Sequence, residues 1–247
     1  MKRCIARKGR EADGYERSDD NLRHHELEAV MTGVIEFLDG EINQRHMLNH
    51  PFYQRWNAGE LTRGDLEAYS RQYYPYTLAF PTFLSAMHAH TGDIAIRQYL
   101  LENLIEEERG TENHPELWLR FCEALGVNRA DAKSTTPNAA TADLIATMRD
   151  FARSEKLHEG LAALYAYESQ IPAVSKTKID GLAAWYGITE SRDISFFSVH
   201  MEADVFHSQT ARELLEALCD TPKKCEEARV AAAATVNALY RFLDAVN

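Results

Sequence analysis

The sequence predicts an all-α protein, a single helical bundle, and three observations carry that reading. Only seven prolines and twelve glycines punctuate the 247 residues. Alternation of β-branched with polar residues, the mark of a half-buried strand, is scarce. Connections between the helix-like segments are short apart from one polar loop, "NRADAKSTTPNAA", and there is no repeat or linker of domain-separating length. A chain of this size has ample length for one core.

The elements follow in order. Residues 1–22 are charged and poor in apolar side chains, which predicts a disordered or loosely attached tail ahead of one helical domain over 23–247. A first helix is expected from about Leu27 to Asn43. A second opens near Thr62, where "TRGD" supplies Thr62 as N-cap and Asp65 at N3, a variant of the capping box. It carries Tyr69, Tyr73, Tyr74 and Tyr76 and is expected to stop at about Pro81, where a third begins and runs to His90. Ile94 to Glu108 makes a fourth. Further helices are expected over Pro115–Leu125 with Gly126 closing it, Ala140–Phe151, His158–Ser169, Pro172–Tyr186 ending at Gly187, Ser191–Ala217 and Lys223–Val246.

Composition excludes several classes of function. A formal charge of −11 argues against nucleic acid or an anionic membrane as the main partner. No run approaches the roughly 18 to 20 apolar residues of a membrane span. The start, "MKRCIARKGREADGYERSDD", lacks the apolar core of a secretory signal. Cys4, Cys122, Cys219 and Cys225 form neither a CxxC pair nor a disulfide framework, so free thiols in a reducing cytoplasm are expected.

Candidate chemistry starts at "HMEADVFH". His200, Asp204 and His207 are spaced i, i+4, i+7, which puts them on one helical stripe roughly 40° wide. Two imidazoles and a carboxylate suit iron, manganese, cobalt or zinc, although a solvated polar stripe accounts for this triplet equally well. Partner ligands elsewhere tip the balance. "LIEEERGTENHPELW" offers Glu107 and His114, seven apart, with Gly110 and Pro115 breaking the helix between or beside them; Glu106 and Glu108 read as a solvated face. "LYAYESQIP" offers Glu168 after an apolar helix, where a partly buried carboxylate needs a cation or donors. Three carboxylates and three histidines suit two divalent metal ions with coordination positions left open for a small oxidant. His50, His88 and His90 are assigned to structure.

The series Glu-x6-His, then "YESQIP", then His-x3-Asp-x2-His resembles the haem-oxygenase-like dimetal oxidases, and among them the group named for the chlamydial protein associating with death domains. "HPFYQRW", LxExLxEE and "YESQIPAVSKTKIDGL" add to the likeness, which spans the chain from about Leu48 to its C-terminus. The resemblance implies a bundle of about seven core helices, a homodimer, and a site of two irons or iron and manganese. O2 and an external electron donor would be co-substrates. It implies as ligands Glu107, His114, Glu168, His200, Asp204 and His207. It also implies formation of para-aminobenzoate for folate by self-sacrifice, with Tyr53 as source of the ring and Lys178 as amino donor. Residue chemistry permits this. A tyrosine has the para-substituted skeleton, and a lysine donates nitrogen only as the neutral amine. Tyr53 reads equally as a core aromatic, and Lys176 rivals Lys178. Tyr69 and Tyr167 are candidate redox neighbours, whereas Phe196 and Phe197 leave no phenol just upstream of His200.

Other functions remain in view. A dimetal oxidase acting on an external small aromatic or amine needs the same ligands. A hydrolase of the thiamin-pyrimidine kind needs a nucleophilic cysteine beside the pocket, and none stands next to a ligand motif. A haem oxygenase needs one proximal histidine and no carboxylates. A non-enzymatic helical binding module fits the acidic charge but leaves six ligand-type residues unexplained.

Overall fold

The computed structural model describes residues 33–247, so the expected tail over 1–22 and the start of the first helix lie outside the described residues. Among those described, the structure is helical with no strand, as the sequence predicts, in eleven α-helices rather than about seven. These are α1 (Val34–Gln44), α2 (Pro51–Ala58), α3 (Arg63–His90), α4 (Ile94–Glu108), α5 (His114–Ala124), α6 (Arg129–Lys133), α7 (Ala139–Ala152), α8 (Leu157–Glu168), α9 (Ile171–Gly181), α10 (Ser195–Leu218) and α11 (Pro222–Asp244). A 3-10 turn precedes α2, and a π-helical segment, Leu182–Tyr186, extends α9 until Gly187 turns the chain with φ of 68°. None of the described helices is long and apolar enough to cross a membrane.

Local signals explain most boundaries. Thr62 accepts from Asp65 N while the Asp65 carboxylate accepts from Thr62 N, closing the capping box that starts α3. Asp93 caps α4 through Ala95 N and Ile96 N, and Asn138 caps α7 through Thr141 N. Two expectations need correction. Pro81 does not divide α3, which runs unbroken through Pro75 and Pro81. Its buried face of Tyr69, Tyr73, Tyr76, Phe80 and Phe83 is held on both sides of each proline, and that packing outweighs the lost backbone hydrogen bonds. The stretches before Thr62 and after Asn128 also hold short helices, α2 and α6, which the sequence reading leaves as loop.

The core centres on α8. Its side chains are buried from Gly160 to Glu168, so it has no solvent face, and α1, α3, α7, α9, α10 and α11 pack around it. On one side α4, α5 and α10 close against one another. The end of α8, the end of α4, the start of α5 and the middle of α10 therefore meet inside the bundle.

Candidate metal centre

Each functional side chain reaches this meeting point for a local reason. On α4 the buried stripe is Ile96, Tyr99, Leu100, Asn103 and Glu107, at helical spacing. The helix stops at Glu108, Gly110 turns the chain with φ of 81°, and Asn113 caps α5 by accepting from Glu116 N. His114 is thus the first residue of α5. The turn aims it back at its predecessor, and its Nδ1 lies 2.8 Å from Glu107 Oε2. Glu168 is the last residue of α8 and is almost wholly buried. On α10, His200, Asp204 and His207 are all buried on one stripe, as their spacing predicts.

The structure brings all six predicted ligands together, and it sorts them into two triads. Glu107, His114 and His200 offer donor atoms within 4.8 Å of one another, and so do Glu168, Asp204 and His207. Glu106, expected to face solvent, is exposed, but its carboxylate also comes within 3.2 Å of His207 Nε2. Glu108 is exposed and takes no part. In a third histidine–carboxylate group, His158, Glu159 and Glu227, Lys156 already bridges the two carboxylates, its Nζ 3.0 and 2.9 Å from them.

Electrostatics make the triads costly without a cation. Burial, reinforced by Asp204, pushes the Glu168 carboxyl up to about 8, and burial raises Asp204 to about 6. Burial works against a charged His207, yet Asp204 and Glu168 carry it up to about 9. Burial likewise opposes a charged His114, and Glu107 beside it outweighs that and raises its pKa. His200 moves the other way, held well below its ordinary value by burial and by His114. Its Nδ1 lies 2.6 Å from the Phe196 carbonyl, so Nδ1–H donates there and Nε2 is left as a neutral donor atom. Glu168 Oε2 and Asp204 Oδ2 have no hydrogen-bond partner, and His114 Nδ1 approaches the Glu107 carboxylate out of line with its ring N–H. Each such orphan costs about 1–3 kcal/mol. Lone pairs converging from three imidazoles and three carboxylates fit metal ions of the iron and manganese kind.

Beside the triads lies a cavity of about 10 Å³, bounded by Glu107, His200, Asp204, Tyr76, Phe80 and Tyr167. That is about the least volume that holds one water-sized molecule. From its wall a row of phenols leads away. Tyr167 shares a short hydroxyl–hydroxyl hydrogen bond with Tyr73, whose ring lies 5.7 Å from that of Tyr69. Lys178 Nζ donates to Tyr69 OH at 2.5 Å, and the Tyr69 hydroxyl lies beside that of Tyr53. Tyr53 is buried and is not among the residues that bound the cavity. Lys178 is 4% exposed, and the rings of Tyr69, Phe197, Tyr73, Trp118 and Tyr53 surround its Nζ at 4.9 to 5.9 Å. It forms no ion pair with a described carboxylate, and burial lowers it to about 7. Lys176 is exposed and bound to Asp180 at 2.6 Å. His50 caps α2 and meets Asp244, and His88 and His90 belong to neither triad.

Sequence reasoning missed Asn103 and Tyr73. Both sit on stripes that were legible: Asn103 is four residues before Glu107, and Tyr73 is four after Tyr69.

A helical bundle of haem-oxygenase-like type that buries two carboxylate–histidine triads defines a metal-dependent class of protein. Comparison agrees: residues 67–240 match the family described as iron-containing redox enzyme. The chain belongs to that family. It is 45% identical to the 4-aminobenzoate synthase of Nitrosomonas europaea, over 85% of this chain and 89% of the relative, and 40% identical to the 4-aminobenzoate synthase of Chlamydia muridarum, over 88% and 92%. In fold it is similar to a Shewanella denitrificans domain with a haem-oxygenase-like fold, at a TM-score of 0.70 and 19% identity over 88% of this chain and 90% of that one. The protein carries a metal cofactor.

Proposed function

We propose that this protein is an O2-dependent dimetal oxidase that forms para-aminobenzoate for folate, with Tyr53 as source of the ring and Lys178 as source of the nitrogen. The 4-aminobenzoate synthases at 40–45% identity support the product. The observation that carries the self-substrate reading is the placing of Lys178: a buried amine with no carboxylate partner, walled by tyrosines that include Tyr53. In these surroundings about half the lysine is neutral near pH 7 and so is nucleophilic. Lys176, charged and paired at the surface, has no comparable environment.

Glu107, His114 and His200 would hold one metal ion, and Glu168, Asp204 and His207 the other; two irons or iron with manganese both suit these donors. Bound there, the ions supply the reduction of O2 and the oxidising power for the ring. The chain does the rest. Burial excludes water from the phenols and holds the Tyr53 hydroxyl protonated far above neutrality. The Lys178 amine, which donates to Tyr69 OH, lies 5.9 Å from the Tyr53 ring, so nitrogen donor and ring stand side by side. The cavity of about 10 Å³ beside the triads suits a small oxidant. An external electron donor, a homodimer and a cytoplasmic setting belong to the same reading, the last supported by free thiols at Cys122, Cys219 and Cys225.

Isotope labelling tests the proposal. Protein made with ring-labelled tyrosine and side-chain nitrogen-labelled lysine, loaded with iron or iron and manganese, is given O2 and reductant without chorismate. Labelled para-aminobenzoate is the expected product. Tyr53→Phe and Lys178→Arg should each abolish it, since a guanidinium stays protonated, while Lys176→Arg should not. Unlabelled product, or an absolute need for chorismate, sinks the reading.

A further inference from the structure

We infer that Asn103 is a positioning residue that makes Glu168 a one-oxygen donor to the second triad. The inference rests on the reading that the triads hold metal. Asn103 lies on α4 one turn before Glu107 and is 1% exposed. Its Nδ2 donates to Glu168 Oε1 at 3.0 Å, across from α4 to the end of α8. Glu168 Oε2 has no hydrogen-bond partner and belongs to the same triad as Asp204, whose Oδ2 is likewise unpartnered. The two oxygens of one carboxylate are thus divided. One is committed to a protein amide and the other is left for a cation.

The chemistry of an amide suits this division. A lysine or arginine at this position would neutralise Glu168 and compete with the metal for it. An apolar residue would leave Oε1 without a donor inside the core, where it would turn toward the metal or take up a proton. Asn103 stabilises the ionised carboxylate without supplying charge, and its short side chain on a helix fixes the rotation of the carboxyl group. The same helix reaches α10 one turn earlier, where Tyr99 OH donates to the His207 backbone carbonyl at 3.1 Å. Ligands from α8 and from α10 are therefore both aligned against α4.

Anaerobic titration of the metal-free protein with iron(II), followed by elemental analysis after gel filtration, tests the inference on native protein, Asn103→Leu and Asn103→Ala. The leucine keeps the branching of asparagine at a larger volume, and the alanine spares the packing should leucine not fit. Native protein should retain about two ions per chain, from the two triads. Both variants should retain the first and bind the second about 10–100-fold more weakly, the usual effect of losing a hydrogen bond to a ligand. Thermal melting of the metal-free forms separates a merely structural role. Variants that melt lower but bind both ions with native affinity overturn the inference. Native protein that binds no iron would instead overturn the metal reading beneath it.

Discussion

Lys178 shows what a single residue costs its fold. Burying an amine without a counter-charge lowers its pKa from 10.5 to about 7, so between those values the unfolded chain holds a proton that the folded chain releases. Stability therefore rises with pH across that window, and below about 7 the penalty is fully present. Lys178→Met removes the group while keeping a flexible side chain of similar length. Between pH 7 and 9 the native protein should gain about 2 kcal/mol of unfolding free energy that the variant does not gain. Urea unfolding of both proteins at the two pH values, in the metal-free form, reads this difference. Equal slopes would mean that the amine is hydrated in the fold, and the case for a neutral nitrogen donor would go with it. Tyr53 has a different signature, because its burial keeps the hydroxyl protonated at every pH of interest. Tyr53→Phe should thus shift stability almost equally at pH 7 and 9, which the same titration checks.

At the scale of elements, the site depends on how closely α9 approaches α2. Gly181, one turn after Lys178, lies against Trp56 so tightly that a Cβ there would overlap the indole nitrogen. Gly181→Ala must push these helices apart and should cost about 1–3 kcal/mol, measured by chemical unfolding. The same shift should loosen the aromatic wall around Lys178 and lower the yield of product per chain. The elements also show what could be read without a structure. Helices α4, α5 and α7 were legible from capping residues and apolar spacing, α8 and α10 without a side-chain cap, and so was the stripe of His200, Asp204 and His207. The six ligands were legible as residue types, but not their division into triads, because that depends on a turn at Gly110 and on which helix ends meet. The continuity of α3 through Pro81 was not legible, since packing on distant helices decides it. Asn103 lay hidden for a related reason: an asparagine on a helix declares nothing until Glu168, sixty-five residues later, is seen against it.

For the molecule as a whole, two measurements bear on what the bundle is for. Metal ions that bind only the folded chain should raise its melting temperature, by an amount equivalent to about 2.7 kcal/mol at one hundred times the dissociation constant. Chelation should reverse the shift, and a bundle whose triads merely pack would show neither effect. The second measurement distinguishes a catalyst from a consumed reagent. Every chain contains one Tyr53 and one Lys178, and both are buried in the bundle. Product should therefore accumulate to a plateau at or below one molecule per chain, however much O2 and reductant are added. Spent protein should show loss of mass at the peptides that carry Tyr53 and Lys178, and fresh chains should restore production in proportion to their number. Adding free tyrosine or lysine to spent protein should restore nothing, because the consumed side chains are covalent parts of the chain. Turnover that continues well past one product per chain, with both peptides intact, would leave the triads as a metal site but make Tyr53 and Lys178 ordinary members of the core.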